Sequence, residues 1–244
     1  MMEHNVEALM STDGKLRIAY FSDVLCVWAY ISQIRMDELK KQLGARIAVS
    51  YHFIPLFGCT EHRIGVGWQD RGAYSGFGRH VQEVCSQFPH VQVDTAVWND
   101  VIPKSSAPAH HFLKAVQLLE QERIIAVAPQ DRFAGRSLFE EAIWRVRCAF
   151  FQQAQDVSRL DCLLETAEQL KLPRDEVLER MNNGEAMAAM CRDNELCGEY
   201  RVEGSPTYIL NEGRQKLYGN VGYKIIEANV EEVLRRPEQQ ASWC

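Results

Sequence analysis

Leu16-Arg17-Ile18-Ala19-Tyr20-Phe21-Ser22-Asp23-Val24-Leu25-Cys26-Val27-Trp28-Ala29-Tyr30 changes its period half-way along. Leu16, Ile18 and Tyr20 alternate as on one face of a strand that ends at Ser22-Asp23. From Val27 to Leu43 the apolar residues Trp28, Ile31, Ile34, Leu39 and Leu43 recur close to helical spacing. Cys26 stands at the junction. The first-turn N–H groups there lack partners within the helix and the helix dipole is positive, so the position favours the thiolate, the reactive form. The alternative is a small buried cysteine that fills a gap in the core. Gly44 follows where a helix end favours a residue free to take positive φ, and a second strand, Ile47 to Ile54, is stopped by Pro55. This strand, helix, strand unit has a size that suits a parallel pair.

Outward from this unit, Leu56 to Pro103 is punctuated by Gly58, Gly65, Gly67, Gly72, Gly76 and Gly78. It reads as a long loop with one short helix. Beyond it, Phe139, Ala142, Ile143, Val146 and Phe150 form one apolar stripe, Ser158 with Asp161 resembles a capping box, and Pro173 suits a first helical turn. Four or five helices are expected between Pro108 and Glu199. Thr207 to Leu210 is β-prone, Asn211-Glu212-Gly213 is a turn, and Lys216 to Tyr218 supplies a partner strand. Ile225, Ile226, Asn229, Val230 and Val233 then mark a closing helix. The order is βαβ, a helical block, then ββα.

Composition narrows the function. Of 244 residues 46% are hydrophobic and 25% charged, as in a chain that buries a full core. The net charge of -6, without dense Lys/Arg clusters, argues against a nucleic-acid partner. Met1 to Gly14 is polar and carries Glu3, Glu7 and Asp13, unlike an export signal, and no run of about 18 apolar residues suggests a membrane span. The expected compartment is the cytoplasm. The eight cysteines, at 26, 59, 85, 148, 162, 191, 197 and 244, follow no framework spacing and are expected to be free thiols. Neither Cys59-Thr60-Glu61-His62 nor the pair Cys191 and Cys197 has the second half that a metal site needs.

Gly204-Ser205-Pro206-Thr207 sets a proline at the start of a late strand, where a cis bond is available to it. Taken with Tyr20 to Tyr30, the helical block and Val202 to Tyr208, it resembles the DsbA-like branch of the thioredoxin superfamily, over about Leu16 to Arg236. That branch includes dithiol oxidoreductases, kappa-class glutathione transferases and 2-hydroxychromene-2-carboxylate isomerases. The resemblance implies an α/β thioredoxin fold with a large α-helical insertion. Residues 15–57 and 200–236 would form the thioredoxin-like part and 58–199 the insertion, with a flexible 1–14 and a tail 237–244. It implies a catalytic Cys26 facing a cis-proline loop at Ser205-Pro206, where the backbone before the proline pairs with a peptide or with glutathione. It also implies that Trp28, Ser205, Pro206 and Asn220 surround that ligand, with no metal and no tightly bound cofactor. Glutathione, or another small thiol or disulfide, is then the co-substrate, and a homodimer accords with the family's habit of pairing protomers.

Two departures matter. Dithiol members carry a second cysteine where this chain has Ala29, and transferase and isomerase members usually carry serine or another small polar residue where it has Cys26. A lone thiolate must wait for an outside thiol to resolve its mixed disulfide. The leading expectation is therefore a monothiol oxidoreductase linked to glutathione. One rival is a transferase or isomerase in which bound glutathione is the nucleophile, and another is a thioredoxin-fold peptide-binding or chaperone-like protein without turnover. Other residues keep two readings each. Trp28 packs or walls the pocket, and Asp23 shapes a turn or acts as a base. One of His110 and His111 lines the cleft or neither does, Asn220 binds ligand or caps the last helix, and Cys59 is a resolving thiol or a bystander.

Overall fold

β1 (Leu16–Ser22) runs between two partners. It is parallel to β2 (Ile47–Phe53), with Tyr20 opposite Tyr51, and antiparallel to β3 (Thr207–Leu210), with Tyr20 opposite Tyr208. β4 (Gln215–Tyr218) adds antiparallel to β3, giving the order β2-β1-β3-β4. The strands around Tyr20, Tyr51, Ile209 and Leu217 thus form one sheet, as the two β-rich ends of the sequence lead one to expect. The computed structural model describes residues 14–235. Residues 1–13 and the tail, Cys244 included, lie outside the described residues.

α1 (Val27–Leu43) follows β1 and packs against α8 (Tyr223–Arg235), which turns Ile226, Val230 and Val233 inward and leaves Ile225 exposed. Between β2 and β3 come α2 (Ala73–Ser86), α3 (Ala107–Gln121), α4 (Leu138–Phe151), α5 (Leu160–Gln169), α6 (Arg174–Asn182) and α7 (Glu185–Glu199). The expected stripe on α4 is wholly buried. α3 is the hub of the insertion, packing against α4, α5, α6 and α7.

Four local expectations need correcting. The glycine-rich stretch holds a π-helical turn, Glu61–Val66, and a full 14-residue helix, α2. Gly76 and Gly78 in α2 answer close approach: a Cβ on Gly76 would collide with the Arg71 carbonyl, and one on Gly78 would press on Val97 and Asn99. Gly44 has φ -53°, not the left-handed turn expected, and its missing Cβ makes room for the Lys40 carbonyl. Ser158 binds Asp156 instead of capping α5, and the capping box is on α4, where Ser137 Oγ accepts from Glu140 N–H and Glu140 accepts from Ser137 N–H. Pro173 stands just before α6, not inside its first turn.

Side chains from the insertion close the outer edge of the sheet. The Tyr51 carbonyl of β2 accepts from Lys114 (3.3 Å) and Gln117 (3.1 Å) on α3, and the Phe53 N–H donates to Asp193 on α7 (2.7 Å). Such pairing removes the free donors and acceptors that would otherwise invite another strand. Asp193 also holds Lys114 (2.7 Å) and His52 Nδ1 (2.8 Å). Among the described residues no helix is long and apolar enough to cross a membrane.

Candidate functional site

The antiparallel register that sets Phe21 opposite Thr207 carries the chain on to Asp23 beside Ser205. There the Asp23 N–H donates to Ser205 Oγ (2.9 Å). The Ser205–Pro206 bond is cis. Cys26 sits at the N-cap of α1 in extended conformation, and its Sγ donates to the Ser205 carbonyl at 3.2 Å. The cysteine after the first strand and the proline before the third, 180 positions apart in sequence (206 - 26), therefore meet across one gap.

The thiol is 6% exposed, and its electrostatics are a contest. Burial pushes its pKa up. The Ser205 side chain and the backbone N–H of Ala29 draw it down, the Asp23 carboxylate raises it, and the N–H of Trp28 lowers it again. The outcome is a thiol above its ordinary value, so the helix N-terminus does not by itself yield the thiolate the sequence suggested. In a site this enclosed, desolvation of the anion outweighs a few aligned N–H groups.

Asp23 is fully buried. Its Oδ1 accepts from Leu25 N–H (2.8 Å), and its Oδ2 accepts from Phe57 N–H (2.9 Å) and Ser106 Oγ (2.8 Å). Burial opposes its charge, but His110 and the Phe57 and Leu25 donors win and hold its pKa below the usual value. His110, also fully buried, sits in the first turn of α3 with its Nε2 3.2 Å from Val24 N–H and 3.6 Å from Asp23 Oδ1. A neutral ring accepts the Val24 N–H, whereas a protonated ring turns the same nitrogen into a donor facing Asp23. Asp23 and His110 thus shape the loop from below. His110 does not line the cleft, and the sequence reading missed Ser106 and Phe57 N–H altogether.

Above the thiol opens a cleft of about 430 Å³. Trp28, Phe57, Trp68 and Phe77 supply aromatic walls, Arg63 and His80 supply its basic groups, and among the described residues no Asp or Glu lines it. The Arg63 guanidinium lies 5.3 Å from the Phe57 ring centre, and His80 packs at 5.2 Å on Trp68. On the far side Tyr218 of β4 lies over Gly204, where a Cβ would overlap its ring. Of the residues expected here, Cys26, Trp28 and Ser205 line the cleft, with Pro206 next to Ser205 in the cis bond. Asn220 is exposed and outside the lining, and it does not cap α8, because Gly222 holds the place before Tyr223. Ala29, where a second cysteine would stand, is fully buried, and Cys59 is exposed.

A family model described as a DSBA-like thioredoxin domain matches residues 17–231. The chain belongs to that family. Solved structures share its fold at low sequence identity. One, provisionally described as a protein disulfide isomerase from Nitrosomonas europaea, is 15% identical with a TM-score of 0.69, covering 91% of this chain and 98% of its own. The cytosolic disulfide reductase DsbM from Pseudomonas aeruginosa is 16% identical with a TM-score of 0.60, covering 88% of this chain and 99% of its own, and it is also solved with GSH. A 2-hydroxychromene-2-carboxylate isomerase is 14% identical with a TM-score of 0.59, covering 93% of this chain and all of its own. Among curated proteins none matches the sequence. The DSBA-like thioredoxin domain is thus a fold that this chain shares with a reductase and an isomerase.

Proposed function

We propose that this DSBA-like protein is a monothiol disulfide exchanger that works with glutathione in a reducing compartment such as the cytoplasm. The observation that carries the reading is Cys26 Sγ at 3.2 Å from the Ser205 carbonyl, under an open cleft, with Ala29 in place of a resolving cysteine. In the reaction the Cys26 thiolate attacks the glutathione sulfur of a mixed disulfide RS–SG. The S–S bond breaks, Cys26–S–SG forms, and RS⁻ leaves and takes up a proton. A glutathione thiolate then attacks Cys26–S–SG, giving GSSG and regenerating the Cys26 thiolate. Trp28, Ser205 and Pro206 would hold the glutathione portion by strand-like pairing at the cis-proline loop. Arg63 and His80 would meet its carboxylates, since they are the bases of a cleft whose lining holds no acid.

The raised thiol supports a second reading, in which bound glutathione is the nucleophile and Cys26 stays protonated, donating a hydrogen bond as a serine would. Mass spectrometry after incubation with oxidised glutathione at graded pH separates the two. The expected result is an adduct on Cys26 that forms faster as pH rises. Saturable glutathione binding without an adduct favours the second reading, and neither adduct nor binding defeats both. Cys26→Ser is expected to lose exchange to the uncatalysed background, and Ala29→Cys to gain insulin-reducing activity absent from the parent. Transferase turnover retained in Cys26→Ser would retire the covalent mechanism.

A further inference from the structure

After Trp98, Arg147 on α4 is the bulkiest fully buried side chain. Its Nη1 donates to Gln33 on α1, its Nη2 donates to Ser22 Oγ at the end of β1 (3.0 Å), and its Nε has no hydrogen-bond partner among the described residues. Both partners are neutral. The half-buried Asp37 of α1 and the buried Glu141 of α4 are held by Arg136, and the buried Glu140 by Lys40. Gln33 does reach Asp37 through its amide (2.9 Å), but that carboxylate is 2.7 Å from Arg136. A guanidinium does not shed its proton in a protein, and a buried charge without a counter-charge is costly.

The surroundings narrow down what answers this charge. Tyr20 and Tyr208 approach from β1 and β3, Ser32 and Gln33 come from α1, and Cys148 is the neighbour on α4. Burial keeps both tyrosines and Cys148 protonated near neutral pH. Tyr20, bonded to Ser32 at 3.3 Å, lies within electrostatic reach of both Arg147 and Cys26. The guanidinium holds Ser22 Oγ at 3.0 Å, the next residue, Asp23, donates its N–H to Ser205 Oγ, and the Ser205 carbonyl accepts the Cys26 thiol, so a short run of contacts joins the buried charge to the thiol. The other charges about the thiol are Asp23 and His110 beneath it and Arg63 and His80 across the cleft.

We propose that Arg147 is a positioning residue for the thiol chemistry, a fixed buried positive charge behind β1 that stabilises the Cys26 thiolate as it forms and offsets the Asp23 carboxylate. The inference rests on the preceding reading only in taking Cys26 as the reactive group. It explains why a base is kept where a neutral side chain would satisfy Ser22 and Gln33 at lower cost.

The test is the pH dependence of Cys26 alkylation by iodoacetamide, read on the Cys26 peptide by mass spectrometry, with circular dichroism to confirm folding. In Arg147→Met the midpoint should rise by roughly one pH unit, and Arg147→Lys, which keeps the charge, should restore most of it. Should Arg147→Met fail to fold, Gln33→Glu carries the test, since it sets a carboxylate on the guanidinium in place and should move the midpoint the same way. A purely structural role would lower thermal stability in both Arg147 variants and leave the midpoint where it was. A folded Arg147→Met or Gln33→Glu protein with the wild-type midpoint overturns the inference. If the midpoint moves but no glutathione adduct ever forms, the exchange reading fails and the inference stands. If wild-type Cys26 exchanges while the midpoint stays fixed, the reverse holds. A Cys26 that resists the reagent in every variant sinks both.

Discussion

Asp23 and Asp193 are both buried carboxylates that tie the helical insertion to the sheet, and they do so in different company. Asp193 meets the Phe53 N–H, His52 and the Lys114 ammonium at 2.7 to 2.8 Å, so its charge is closed on the spot. Asp23 has backbone N–H groups, a serine hydroxyl and a histidine ring 3.6 Å away, and among the described residues no lysine or arginine pairs with it. Dipoles lower the cost of burying a charge but do not cancel its field. The field of Asp23 therefore reaches Cys26 and raises its pKa, while that of Asp193 is spent on Lys114. Two joints of similar construction thus differ in whether the electrostatics of the joint reach the chemistry.

The comparison can be broken at either joint. The largest stability effect is expected from Asp193→Ala, which strands the buried Lys114 ammonium and should cost about 3–5 kcal/mol in urea unfolding while leaving the Cys26 titration unmoved. A shifted thiol midpoint there would show that the two joints are not independent. Asp23→Asn should cost about 2 kcal/mol, because an amide cannot accept from all of Leu25, Phe57 and Ser106, and it should lower the Cys26 midpoint by about one unit. Asp23 also fixes an acid limit. Its folded pKa lies below the unfolded 3.8, so its contribution is complete above that value and is lost as pH falls through the folded pKa. The stability gap between wild type and Asp23→Asn should accordingly narrow on acidification below pH 3.8 and stay constant near neutrality. The smallest effect belongs to Ser137→Ala, which deletes the α4 cap for about 1 kcal/mol. With the thiol midpoint unchanged, it shows that loss of insertion stability alone does not perturb Cys26.

The β-strand alternation of Leu16 to Tyr20, the helical return of apolar residues after Cys26 and the Ser-Pro step before a β-prone run were legible because each is a local pattern. Together they place Cys26, Trp28, Ser205 and Pro206 about one cleft. α2 was hidden because its glycines lower helix propensity for reasons visible only in three dimensions, the nearness of Arg71, Val97 and Asn99. The Asp23 cluster draws on positions 57, 106 and 110, far apart along the chain and tied by no period. Asn220 stands three residues before the last helix and outside the cleft lining, a placement that local spacing alone does not give. Arg147 did carry a signal, since it falls four residues after Ile143 and three before Phe150, a charged residue within the apolar stripe of α4.

Gly204 has a consequence of a different sort. Tyr218, which lines the cleft above the thiol, rests where a side chain on residue 204 would have to be. Alanine at 204 would have to displace the Tyr218 ring, a wall of the cleft, so the side chain that residue 204 lacks bears on what the cleft admits.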